Sequence, residues 1–229
     1  MNIKKFLLRF FGNSLLNLSL TFFIFSFFAI YSLDNIDIFE NSLKNVVDKD
    51  FVLRDFNETQ KQQLEEFCEV NPSYEGCDLI NNPESSMENV EFRNFIDKIQ
   101  GYKNIIINIR ILSIILFFVG ILLIYLSNLN LILTLYKISL SSFITAALAV
   151  LYYKFLPNIL VGIFNSDAIK NKVREIPNDI FSRLIDAILE WLKTPANQTL
   201  KLSLIITIIF LTLTIIFYIS KRKVLNKNA

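Results

Sequence analysis

Residues 111–153 read ILSIILFFVGILLIYLSNLNLILTLYKISLSSFITAALAVLYY. The stretch is apolar almost throughout, and only a polar turn signal at residues 127–130 and the charge of Lys137 interrupt it. A single bilayer crossing needs about 20 apolar residues, so the stretch is too long for one crossing and long enough for two. It therefore predicts a tight transmembrane helical hairpin, with the other apolar segments packed beside it.

The same apolar excess recurs towards both ends of the chain. Hydrophobic residues make up 53% of the 229 residues, including 22 Phe, whereas soluble domains contain roughly 45–50%. We therefore expect an all-α integral membrane protein with four transmembrane helices, at residues 15–33, 104–127, 131–156 and 201–220. A cleaved signal peptide is the alternative for the first segment. Its charge-free run exceeds the ~7–15 residues of such peptides, which favours an uncleaved anchor.

The absence of histidine narrows the possible chemistry. Histidine is the commonest general base and nitrogen metal ligand, so zinc proteolysis, His-ligated haem and Ser-His or Cys-His nucleophile pairs are excluded. The predicted spans also contain no acidic residue of the kind that ion-coupled transporters place in the membrane. We expect a protein that is not an enzyme and that binds no metal or cofactor. An enzyme with a carboxylate site in the outer loops is the alternative.

Charge is distributed very unevenly along the chain. Residues 34–103 contain 16 acidic and 7 basic side chains, a net charge of −9 within a chain whose total is +2. Basic residues collect near the two ends: Lys4, Lys5, Arg9, Lys221, Arg222, Lys223 and Lys227. The positive-inside rule then places residues 1–14 and the tail at 221–229 in the cytoplasm, in a multi-pass protein of the plasma membrane. The basic ends are short, and we expect no nucleic-acid partner.

The two outer segments, residues 34–103 and 157–198, contain signals for short helices. Asn57 followed by Gln60 predicts a capping box at the start of one helix, and residues 85–88 predict a second. Helix ends are expected near Gly101 and at Pro157. An amphipathic helix at 179–193, which contains Trp191, either lies on the membrane surface or docks on the first outer segment; docking is favoured. Together the segments predict a small helical extracytoplasmic cap.

Cys68 and Cys77 are the only cysteines, and both lie in the first outer segment. On the outer side of a membrane such a pair predicts a disulfide, which would stabilise the cap by roughly 2–3 kcal/mol. A thiol-exchange site would need a closer pair such as C-x-x-C. Two thiols without histidine also make an incomplete metal site, so the structural disulfide is favoured.

Small residues recur at helical spacing in the third span. Ser139, Ser142, Ala146 and Ala149 share one face, where small side chains let a neighbouring helix approach closely. This pattern predicts a helix-packing seam, with a pore lining as the alternative. Five residues are predicted anchors at the membrane interface: Lys137, Trp191, Lys221, Arg222 and Lys223. For Lys137, an ion or substrate contact is the alternative to an anchor.

The residues identify the class of protein more clearly than its function. We expect a non-enzymatic scaffold, assembly or adhesion component that acts through its outer helical cap. The lipid bilayer is the expected environment, a protein on the outer face is the expected partner, and a homo-oligomer is left open. The alternative is an oligomeric channel or transporter subunit, in which the small-residue seam faces a pore and the acidic cap concentrates cations.

Overall fold

The computed structural model describes residues 3–44, 46, 53, 56–72, 74, 77, 80, 90–166, 169 and 178–227. Within these residues the regular secondary structure is helical, and six helices have defined bounds. They are α1 (Ile3–Asp34), α2 (Ile36–Lys44), α3 (Glu58–Val70), α4 (Val90–Asn128), α5 (Leu131–Phe164) and α6 (Asn178–Lys227).

Four of these helices are long and apolar enough to cross a bilayer: α1, α4, α5 and α6. A helix satisfies its own backbone hydrogen bonds, which is what a segment surrounded by hydrocarbon requires. At ~1.5 Å per residue, the 34 residues of α5 extend about 51 Å, well beyond the ~30 Å hydrocarbon core. The expectation of an all-α chain with four potential membrane spans is confirmed.

The hairpin turn consists of Leu129 and Asn130, inside the predicted turn signal. Leu129 adopts the left-handed conformation, with φ of 52°. The Asn130 side chain accepts a hydrogen bond from the backbone N–H of Leu133 at 3.0 Å, which caps the start of α5. Asn128 donates from its side chain to the carbonyl of Ile124 at the end of α4. So short a connection makes α4 and α5 antiparallel neighbours.

Two predicted helix ends are wrong, because the helices continue through them. Gly101 lies inside α4, where an exposed glycine costs about 1 kcal/mol but breaks no hydrogen bond. Pro157 lies inside α5, and Pro195 lies inside α6, which joins the predicted amphipathic helix and the fourth span in one helix. A proline removes one helical hydrogen bond, and the turns on either side can keep a long helix continuous. The capping box predicted at residues 85–88 lies outside the described residues.

The chain divides into two compact units. The first, here called the membrane unit, comprises Met1–Tyr31, Lys103–Leu156 and Pro195–Ala229. The second, here called the acidic unit, comprises Ser32–Tyr102 and Pro157–Thr194. Pro157 and Pro195 thus coincide with two of the points at which the chain passes between units. None of the 21 acidic residues falls in the membrane unit, whereas 12 of the 23 basic residues do.

Candidate functional site

A small core around the two cysteines stabilises the acidic unit. Cys68 and Cys77 are at disulfide distance, with 5.2 Å between their Cα atoms, as the sequence predicted. Both are buried together with Leu53 and Ile80, and the half-buried Leu64 packs against them. The bridge therefore ties α3 to the segment that follows it and to an apolar cluster that water does not reach.

The start of α3 has the predicted capping box. The backbone N–H of Gln60 donates to the Asn57 side chain at 2.9 Å, and the Gln60 side chain accepts from the backbone N–H of Asn57 at 3.0 Å. Two backbone donors that the helix cannot satisfy internally are thereby bonded. The cap determines where α3 begins and hence which of its side chains reach the surface.

The first part of α6 docks on the first segment of the acidic unit. The Trp191 indole N–H donates to the Ser32 carbonyl at 2.7 Å, and its ring lies 5.0 Å from that of Phe39. One residue earlier, the Glu190 carboxylate accepts a hydrogen bond from the Ser42 hydroxyl at 3.0 Å. Trp191 was predicted as a membrane-interface anchor. The structure places it half-buried in this contact within the acidic unit.

The solvent-exposed surface of α3 combines apolar side chains with negative charge. Val70 is 78% exposed, and the exposed Phe67 ring makes an edge contact with Tyr74, itself 61% exposed, at 5.4 Å. The helix carries four glutamates and one lysine, and Lys61 is paired with Glu58 at 2.9 Å. Phe67, Val70 and Tyr74 are near one another, and contiguous exposed apolar patches rimmed by polar residues mark contact surfaces.

The small residues of the third span lie where α5 packs inside the membrane unit. Ser139, Ser142 and Ala146 are buried, and Ala149 is half-buried. Ser139 donates to the carbonyl of Tyr136, while the buried Ser142 hydroxyl makes no hydrogen bond in the described part of the chain. Burial within a single chain is the arrangement that a packing seam requires.

A polar contact between α1 and α5 accompanies this seam. Asn17 accepts hydrogen bonds from the hydroxyls of Ser141 at 2.6 Å and Thr145 at 3.1 Å. The contact borders a groove of about 720 Å³ between the two helices. The sequence showed Asn17 only as one of several polar residues within the spans, because nothing in the pattern identified its partners.

A close contact between α1 and α4 in the membrane unit involves two glycines that the sequence pattern did not identify. A Cβ built at Gly120 of α4 would lie 3.0 Å from the carbonyl oxygen of Gly12 in α1. Leu16 and Ile124, one turn further along each helix, are fully buried beside this contact. Glycine is needed at both positions because a side chain would force the two backbones apart. Gly12, Gly120 and their apolar neighbours are all visible in the sequence, but nothing in the pattern indicates that the two glycines contact each other.

The charged anchors gather at one end of the membrane unit. Lys137 donates to the Asn128 side chain at the end of α4, and Arg9 and Lys221 both lie close enough to repel its ammonium. The Lys221 ammonium lies 4.9 Å from the centre of the Tyr136 ring. Arg222 and Lys223, the next two residues of α6, are exposed. The end of α6, the start of α1 and the hairpin turn therefore lie together.

The described residues supply an exposed apolar and acidic surface on α3 and close helix contacts in the membrane unit. Within the described residues, no three His, Cys, Asp or Glu side chains are grouped as metal ligands would be. No protein-family model, curated protein or solved structure matches the chain. The four apolar helices define the class, that of multi-pass α-helical membrane proteins.

Proposed function

We propose that the chain is a non-enzymatic assembly component of the plasma membrane that binds other proteins through its acidic unit on the outer face. The four long helices serve as the anchor in the bilayer. The acidic unit, as the helical cap, supplies the binding surface. Both termini lie in the cytoplasm.

The observation that carries this proposal is that the acidic residues are confined to one of the two units. All 21 acidic residues belong to the acidic unit, which has a net charge of −10, and the membrane unit has a net charge of +12. A surface of one sign attracts partners of the opposite sign and accelerates their association. The same charge disfavours contact between two acidic units, so the proposed partner is a different protein with a basic surface.

Within the acidic unit, the exposed surface of α3 is the region where we expect the partner to bind. Phe67, Val70 and Tyr74 provide the apolar and aromatic area found at the centres of protein interfaces, and glutamates lie on the same helix. The Cys68–Cys77 bridge holds the helix on its core. A surface that is rigid before binding loses less conformational entropy when a partner binds.

The packing of α5 does not favour the alternative of a channel. In that hypothesis Ser139, Ser142 and Ala146 face a pore formed by several copies. In the structure these three side chains are buried within one chain, where they support helix packing.

Photo-crosslinking in native membranes tests the proposal. A photoreactive residue would be placed at Val70 in the acidic unit and, as a control of similar exposure, at Ile208 in the membrane unit, which is 61% exposed. We expect a discrete crosslinked protein from position 70 and none from position 208. Replacing Glu66 and Glu69 by Gln should weaken the crosslink at position 70. Two results would refute the proposal: crosslinks that arise only from position 208, or a crosslink at position 70 whose yield neither replacement changes.

A further inference from the structure

The membrane unit carries a concentrated positive charge at one end. It contains no acidic residue, and eight of its basic residues lie at the start of α1, near the hairpin turn or at the end of α6: Lys4, Lys5, Arg9, Lys137, Lys221, Arg222, Lys223 and Lys227. Arg9 and Lys221 both repel the ammonium of Lys137. A bound anion would offset this repulsion, and the sequence of the unit supplies no Asp or Glu side chain to do so.

A groove between α1 and α4 opens at the same end. The two helices touch at Gly12 and Gly120, and each continues by about two turns towards the charged end, to Lys4 and Asn128. Crossing helices separate with distance from their contact. The groove beside them has a volume of about 540 Å³. Its lining consists of one lysine and five apolar residues: Lys4, Leu7, Leu8, Phe11, Leu15 and Leu123.

We propose that this groove is a binding site for an anionic glycerophospholipid. One acyl chain lies along the leucines and Phe11, and the phosphate lies at Lys4 and Lys5. The length of the groove supports an acyl chain as its occupant. From Lys4 to Leu15 the helix rises about 16 Å, which is close to half of the ~30 Å hydrocarbon core and therefore to the depth of one leaflet.

The charges at the mouth of the groove select the headgroup. Lys5 and Arg9 are exposed one and five residues after Lys4, so the first two turns of α1 present three cations near the depth at which lipid phosphates lie. A zwitterionic lipid presents its own cationic group there and neutralises less of this charge. A second copy of the chain would bring the same positive end to the site and would be repelled.

Native mass spectrometry of the purified full-length protein tests the proposal. The protein would be reconstituted with equal amounts of phosphatidylglycerol and phosphatidylcholine, and the lipids retained on the released protein would be counted. We expect phosphatidylglycerol to be retained preferentially. Replacing Lys4, Lys5 and Arg9 by Gln should weaken its retention by at least about tenfold. The matched control replaces Lys103, Lys154 and Lys201 by Gln, which removes the same charge elsewhere in the membrane unit and should leave retention unchanged.

A second variant tests the acyl-chain part of the site. Leu8→Trp adds bulk within the groove and leaves every charge in place, so it should also lower phosphatidylglycerol retention. Equal retention of the two lipids, equal losses in the two charge variants, or no effect of Leu8→Trp would overturn the proposal. Displacement of the lipid by inorganic phosphate would also overturn it, because it would show a headgroup site without an acyl chain. A dimer that Leu8→Trp dissociates would identify a second copy as the occupant.

Discussion

Replacing Gly120 by Ala places a methyl group where the backbones of α1 and α4 are in close contact. The added Cβ would lie 3.0 Å from both the Gly12 carbonyl oxygen and the Leu16 amide nitrogen, and 3.2 Å from the Leu16 Cβ. Ordinary van der Waals contacts of a Cβ lie at 3.4–4 Å, and these atoms belong to the α1 backbone or adjoin it, so they cannot rotate away. The helices must therefore separate by several tenths of an ångström. Overpacking of this kind costs about 1–3 kcal/mol, equivalent to roughly 5- to 150-fold in the unfolding equilibrium.

Reversible unfolding of the purified protein in increasing SDS, followed by circular dichroism, measures this loss. Gly12→Ala should cost a similar amount, and the double variant should cost less than the sum, because both methyl groups separate the same contact. Gly162→Ala is the matched control, since a Cβ there would meet nothing within 4 Å. Gly162→Ala also reports the roughly 0.5–1 kcal/mol that alanine gains over glycine within a helix. If Gly120→Ala is as stable as Gly162→Ala, the packing argument is wrong.

Five other substitutions test three remaining contacts. Cys68→Ser and Cys77→Ser should each destabilise the acidic unit by about 2–3 kcal/mol, measured as faster trypsin cleavage in urea. The double variant should be destabilised by no more than either single variant, because the same bridge is lost in each case. Asn17→Leu removes the acceptor for two hydroxyls and should cost about 0.6–1.7 kcal/mol in the SDS titration. Thr21→Val should cost less, because that hydroxyl bonds only within its own helix. Trp191→Phe keeps an aromatic ring but removes the indole donor, which should cost about 0.5–1.5 kcal/mol; protection from trypsin equal to wild type would contradict the docking contact.

The features that the sequence predicted correctly depend on local patterns. Spans are recognised from apolar length, and four helices of that kind are present. The Asn57–Gln60 capping box and the turn at Leu129 involve residues a few positions apart, so the sequence contains all of their partners. Cys68 and Cys77 could be paired because the chain has no other cysteine.

The features that the sequence did not predict depend on which faces of the helices contact one another. The membrane-spanning parts of α4 and α5 are apolar on nearly every face, and the small-residue seam of α5 does not show which helix it contacts, so periodicity does not reveal how the helices are rotated relative to one another. The Gly12–Gly120 contact and the bonds from Ser141 and Thr145 to Asn17 both follow from that rotation. Pro157 was predicted to end a helix by a local rule, which the turns on either side of it override.

Labelling Cys68 and Cys77 in intact cells with a membrane-impermeant maleimide, before and after reduction, tests most directly whether the acidic unit is an outer, disulfide-bonded domain. We predict no labelling before reduction and labelling from outside the cell after it. Labelling without reduction, and only once the cells are opened, would place the acidic unit in the cytoplasm with free thiols. That result would contradict both the predicted topology and the proposal that partners bind on the outer face.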